Sequence, residues 1–176
     1  MEVLGDDTLC VLLTGGRSRR MGRDKATLRR VNGVTQAHYL AALVCELEGV
    51  RGVELGPGVS GLAAHGDRGE GPAAALANAV ARGYLAARVL VMVPVDLFRL
   101  ERGGLGWLVR QARQAPLVVR TPAGASWTIC GGRVEALRWT GSVGSMRDLV
   151  RGWRLVAPPS GIAHQFLDAD RPEELP

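Results

Sequence analysis

Aromatic side chains are scarce in this chain, 5% of its 176 residues, and it has only three cysteines and three histidines. Cys10, Cys45 and Cys130 are far apart and show no CxxC spacing. That pattern excludes a disulfide framework or a zinc site and points to a reducing compartment. His38, His65 and His164 are scattered without metal-ligand spacing. The sequence has no run of 18 apolar residues and no charged-then-apolar leader, so the expectation is a soluble, cytoplasmic protein with no membrane partner. A GxSxG elbow is missing, and no cysteine has an evident activating partner, which removes the common nucleophilic hydrolases. Internal repeats, linkers and low-complexity blocks are absent as well.

What the chain does have is 47% hydrophobic residues, 22% charged residues and 24 glycines. This is enough apolar material for a core, and the length suits a single domain spanning residues 1–176. The net charge of +5 is unevenly spread: Arg17, Arg19, Arg20, Arg23, Lys25, Arg29 and Arg30 cluster, opposed only by Asp24. A cluster set in a glycine-rich loop, without interleaved aromatics, is an anion-handling segment and not a nucleic-acid surface.

Periodicity predicts alternating strands and helices. Leu9–Leu13 is a short apolar run ending in Thr-Gly-Gly, and Val89–Val95 is a second, ending at Asp96. Continuous apolar runs of this length read as strands buried on both faces of a parallel sheet. Helices are predicted from Thr35 to Leu47 with Thr35 as cap, from Pro72 to about Ala87, from Gly104 to Ala115, and over Ser145–Val150. Further strands are expected at Leu117–Thr121, Ser126–Cys130 and Trp153–Val156, with weak ones near Val53 and Leu62 in the glycine-rich stretch 49–71. The class is therefore α/β, an open and mostly parallel sheet. Buried core positions are expected for Cys10 and for most of Trp107, Trp127, Trp139 and Trp153.

The segment LLTGGRSRRMGRDK, residues 12–25, follows the first strand. A glycine-rich turn there leaves backbone N–H groups unshielded, and Arg and Lys add formal charge, a combination that suits phosphate. The spacing is not that of a Walker A loop, because five residues separate Gly16 from Gly22 and Lys25 stands three beyond. The dinucleotide pattern GxGxxG is missing too.

This segment closely resembles the signature of the molybdenum cofactor guanylyltransferase family, L-x-GG-x-S-x-RMG-x-DK. The similarity continues in family order through GEGPAAAL, VMVPVD, GSVGSMRDLV and LDADRPEEL. The resemblance implies a Rossmann-like, three-layer nucleotidyltransferase sheet. It also implies Mg²⁺-dependent transfer of GMP from GTP to molybdopterin with release of pyrophosphate. Lys25 and Arg20 would contact the triphosphate, and Leu13, Thr14, Gly15 and Gly16 would line the nucleotide. Asp67, or Glu70 in its place, would hold the nucleoside. Asp96 would bind the metal, with Asp170 or Asp168 as a second carboxylate. Transient contact with molybdoenzyme-maturation proteins is a further implication. The sequence departs from the family where DLFRL follows Asp96 without the usual proline, where NGVTQAHYL replaces GKPLL, and where Asp170 and Arg171 stand in the closing motif. Cytidylyl transfer, another small phosphorylated acceptor, or a nucleotide-binding module without catalysis are the alternatives these departures leave.

Overall fold

The computed structural model describes residues 7–15, 25–66, 71–139 and 144–168. Two six-residue strands, β1 (Thr8–Leu13) and β4 (Val89–Pro94), form the middle of the sheet, and every residue of both is buried. Their side chains alternate between two apolar layers. Cys10, Leu12, Val91 and Val93 join residues of the helices α1 (Gln36–Cys45) and α3 (Arg102–Gln114) on one face. Leu9, Val11, Leu90 and Met92 join residues of α2 (Pro72–Ala81) and the one-turn α4 (Met146–Leu149) on the other. Burial on both faces is why these strands carry no polar alternation.

The remaining strands are β2 (Val50–Leu55), β3 (Ala64–His65), β5 (Leu117–Thr121), β6 (Gly124–Arg133) and β7 (Arg154–Val156). The seven-stranded sheet has the order β3-β2-β1-β4-β6-β5-β7. It is parallel except for β6, which runs antiparallel to both β4 and β5. The chain passes from β1 outward through α1 to β2 and β3, then returns through α2 to β4 on the opposite side of β1. Strand order therefore reverses between β1 and β4, and a ligand crevice is expected beyond their carboxyl ends.

Local chemistry explains the helix boundaries. Thr35 caps α1, its hydroxyl accepting from the His38 amide, and Pro72 occupies the first turn of α2. The predicted extension of α2 to Ala87 is corrected to Ala81, because Gly83 adopts φ +72° and ends the helix. The weak strand expected near Leu62 lies at Ala64–His65. The strand expected over Ser126–Cys130 is longer, Gly124–Arg133. Cys10 is buried as expected, but only Trp107 among the tryptophans is; Trp127 and Trp153 are half-buried and Trp139 is exposed. Half-burial suits indole, whose N–H needs a partner: Trp153 Nε1 donates to the Ala136 carbonyl at 3.0 Å. Among the described residues no helix is long and apolar enough to cross a membrane.

Candidate active site

The carboxyl ends of β1, β2 and β4 are tied together at the switch point. The Leu13 carbonyl accepts from the Val95 amide at 3.2 Å. The amides of Thr14 and Gly15 both donate to the Leu55 carbonyl, each at 3.1 Å. Those two donors are thus committed to β2.

Gly56 is what allows the β1 end to lie so close to β2. A Cβ added at Gly56 would fall 2.0 Å from Thr14 Oγ1 and 2.7 Å from the Gly15 nitrogen. Beside it stands a residue absent from the sequence-based site, Glu54, which is fully buried. The Thr14 hydroxyl donates to Glu54 Oε1 at 2.5 Å, and the amides of Gly58 and Val59 donate to the same oxygen at 2.8 and 3.1 Å. The Ser60 amide donates to Oε2 at 2.8 Å. Burial pushes the Glu54 carboxyl up, but the hydrogen bonds from the Ser60 and Thr14 hydroxyls and from the Val59 and Ser60 amides outweigh it and hold the pKa below its ordinary value. Glu54 thereby fastens the glycine-rich turn after β2 to the start of the opening loop. The signal in the sequence was one carboxylate in a strand otherwise turning apolar, VRGVEL, next to the donor-rich GPGVSG.

Lys25 begins a short 3-10 turn, Lys25–Thr27, on the far side of the opening loop. Its Nζ lies 3.6 Å from Asp96 Oδ2, with the lysine side chain 10% and the aspartate side chain 26% exposed. An ammonium this deeply set needs a nearby anion, and Asp96, two residues past β4, supplies it. The family resemblance puts these two residues in one site; in the fold their charged ends lie 3.6 Å apart. Gly16, Arg20, Asp67, Glu70 and Asp170 lie outside the described residues. Asp168 is described and exposed.

Among the described residues no group of three or more His, Cys, Asp or Glu could hold a metal ion. Mg²⁺ commonly takes one or two carboxylates and completes its octahedron with water and phosphate oxygens. Asp96, a hard oxygen donor whose Oδ1 is buried, has the right chemistry for such an ion. Two of the three histidines have partners of their own: His38 is bonded to Thr35 at the start of α1, and His65 stacks on Tyr84 with ring centroids 4.3 Å apart.

The family model for the MobA-like NTP transferase domain matches residues 10–157. No curated protein sequence matches the chain. Among solved structures, Rv0371c from Mycobacterium tuberculosis superposes with TM-score 0.64 at 19% identity, covering 96% of this chain and 95% of its own. Molybdopterin-guanine dinucleotide biosynthesis protein A from Archaeoglobus fulgidus gives 0.64 at 14% identity, with 94% of each chain covered. A 4-diphosphocytidyl-2C-methyl-D-erythritol synthase gives 0.67 at 15% identity, covering 96% and 95%. At such identities the likeness establishes the fold, a mostly parallel α/β sheet of the nucleotidyltransferase type.

Proposed function

The chain belongs to the family of MobA-like NTP transferase domains, and from that premise we propose that it transfers GMP from GTP to molybdopterin, with release of pyrophosphate. The observation that carries nucleotidyl transfer is the Lys25–Asp96 pair at the β1/β4 switch point. Support for the guanylyl branch comes from the signature in residues 12–25 and from the likeness to the A. fulgidus protein.

The reaction sets negative charge on both reactants and on the leaving group, so positioning and neutralisation dominate. An oxygen of the acceptor phosphate attacks the α-phosphorus; the bond from that phosphorus to the bridging oxygen breaks, and pyrophosphate leaves with that oxygen. No protein nucleophile is needed. Lys25, together with Arg20, holds the triphosphate and stabilises the departing pyrophosphate. Leu13, Thr14, Gly15 and Gly16 border the nucleotide, and Asp67 or Glu70 orients the nucleoside. Asp96, with Asp170, would hold the divalent ion. When bound, Mg²⁺ screens the phosphate charges and aligns the reacting oxygens. A structure of Rv0371c in complex with manganese supports a divalent metal for this fold.

A second reading, CTP with a non-pterin phosphate acceptor, is favoured by the likeness to the 4-diphosphocytidyl-2C-methyl-D-erythritol synthase and by the altered closing motif. Pyrophosphate release should be measured with GTP, CTP, ATP and UTP, each with Mg²⁺ and with or without molybdopterin. Release that needs both GTP and molybdopterin is the expected result. Turnover with CTP, or indifference to molybdopterin, would move the assignment to the second reading.

A further inference from the structure

The loop after Asp96 lacks the proline that the resembling family usually has there, and its sequence, Leu-Phe-Arg-Leu, contains nothing to stiffen it. Three side chains from the segment that follows Lys25 take over. Gln36, fully buried at the start of α1, donates from Nε2 to the Leu97 carbonyl at 3.1 Å. Arg30 donates from one guanidinium nitrogen to the Phe98 carbonyl at 2.7 Å and to Gln36 Oε1 at 2.8 Å. The Tyr39 hydroxyl donates to the Leu100 carbonyl at 3.0 Å, and its ring lies under the Arg30 guanidinium, 3.7 Å from centroid to Cζ.

These bonds close a circuit. The Gln36 amide donates to the Leu28 carbonyl at 2.8 Å, and the Leu28 amide donates to the Lys25 carbonyl at 3.3 Å. On the other side the Phe98 amide donates to the Asp96 carbonyl at 3.0 Å. The path from Lys25 through Leu28, Gln36 and the 97–98 turn to Asp96 returns to its start across the 3.6 Å ion pair. The side chains of Leu97, Phe98 and Leu100 are buried in the core, so carbonyls beside them need donors in any arrangement. Here the side-chain donors all come from the segment 30–39, which follows the turn that presents the lysine, and the Leu97 carbonyl also accepts from the Leu100 amide at 3.2 Å.

We infer that Arg30, Gln36 and Tyr39 are positioning residues that fix the separation of Lys25 and Asp96, and with it the geometry in which Asp96 receives a phosphate-borne divalent cation. This rests on the reading of Asp96 as the metal carboxylate. The clamp replaces the rigidity of a proline with tertiary hydrogen bonds, so its loss frees the loop and leaves Asp96 less well placed. The Leu13–Gly15 junction is held by Leu55 and Glu54 and, among the described residues, shares no hydrogen bond with these side chains.

The test uses the intact chain with Mn²⁺ and a non-hydrolysable GTP analogue. Free and bound Mn²⁺ are read by electron paramagnetic resonance, and metal-free analogue binding and Tm are measured in parallel. Tyr39→Phe, which removes one hydroxyl from a half-buried ring, should weaken Mn²⁺ binding about threefold, and Gln36→Met about tenfold, with metal-free binding unchanged. Arg30→Lys should stay closer to wild type than Arg30→Met. If Gln36→Met does not fold, Tyr39→Phe and the Arg30 pair decide. The inference is overturned if folded variants bind Mn²⁺ as wild type does, or if metal-free binding weakens equally. Asp96→Asn separates the two levels. If it loses Mn²⁺ while the clamp variants keep it, only the inference fails. If it keeps Mn²⁺, the metal role of Asp96 fails and the clamp goes with it.

Discussion

The Thr14 hydroxyl and the Glu54 carboxylate, 40 residues apart in sequence, meet at 2.5 Å at the carboxyl end of β1. This contact joins β1, which launches the glycine-rich segment, to the turn after β2. Its energetics follow from the state of the carboxylate.

Glu54 is held below its ordinary pKa in the folded protein. A depressed carboxyl adds stability that is fully present above the unfolded value, about 4.3, and is lost as pH falls through the folded value. Glu54→Gln should therefore be less stable than wild type at pH 7 by about 1–3 kcal/mol, the cost of leaving buried donors poorly satisfied. Urea denaturation at stepped pH should show this gap narrowing as the solution is acidified below 4. A gap independent of pH would mean that the charge of Glu54 contributes nothing.

The Lys25–Asp96 pair makes a kinetic prediction. Lys25→Ala should lower kcat/KM for the nucleoside triphosphate by roughly 10- to 150-fold, corresponding to about 1.5–3 kcal/mol for a charge-assisted hydrogen bond to phosphate. Asp96→Asn should raise the divalent-metal concentration needed for half-maximal rate. Wild-type turnover in either variant would remove the pair from the reaction.

Gly56→Ala should be destabilising by about 1–3 kcal/mol through overpacking, because the new methyl meets both the Thr14 hydroxyl and the Gly15 backbone. Adding Thr14→Ala should recover only part of the loss, since the 2.7 Å contact with the Gly15 nitrogen persists. Thermal melts of the two single variants and the double variant measure this, and full recovery would contradict the geometry.

The three thiols should react in two classes. Cys10 and Cys130 are fully buried, and burial pushes the Cys10 thiol up to about 12 and raises that of Cys130 as well. Cys45, the last residue of α1, is exposed. Titration with a thiol reagent near pH 8 should modify one cysteine, Cys45, in the native protein and all three after denaturation. Rapid native modification of a second thiol would show the core opening at β1 or β6.

The parts of the fold written in local pattern could be read directly. β1 and β4 declare themselves because burial on both faces leaves them without a polar residue between Leu9 and Leu13 or between Val89 and Val93. Thr35 and Pro72 mark helix starts by their own chemistry. The end of α2 was less legible, since Tyr84-Leu-Ala-Ala keeps a helical composition while Gly83 turns the chain away. In the site, Asp96 stood out from the apolar strand it follows, and Lys25 from the resemblance of residues 12–25 to the family signature. Glu54 and Gln36 did not, because their meaning depends on partners brought close only by the sheet: Thr14 for one, Leu97 for the other. A glutamate in a strand and a glutamine in a helix carry no such information alone.

The two rims of the sheet have a consequence for behaviour at high concentration. β3 is two residues long and β7 three, and β7 opens with the exposed, charged Arg154. A neighbouring molecule seeking to add a strand to β3 or β7 finds only two or three residues of backbone to pair with. The long apolar strands that would nucleate fibrils are walled into the interior, so crowding should leave these molecules dispersed rather than stitched edge to edge.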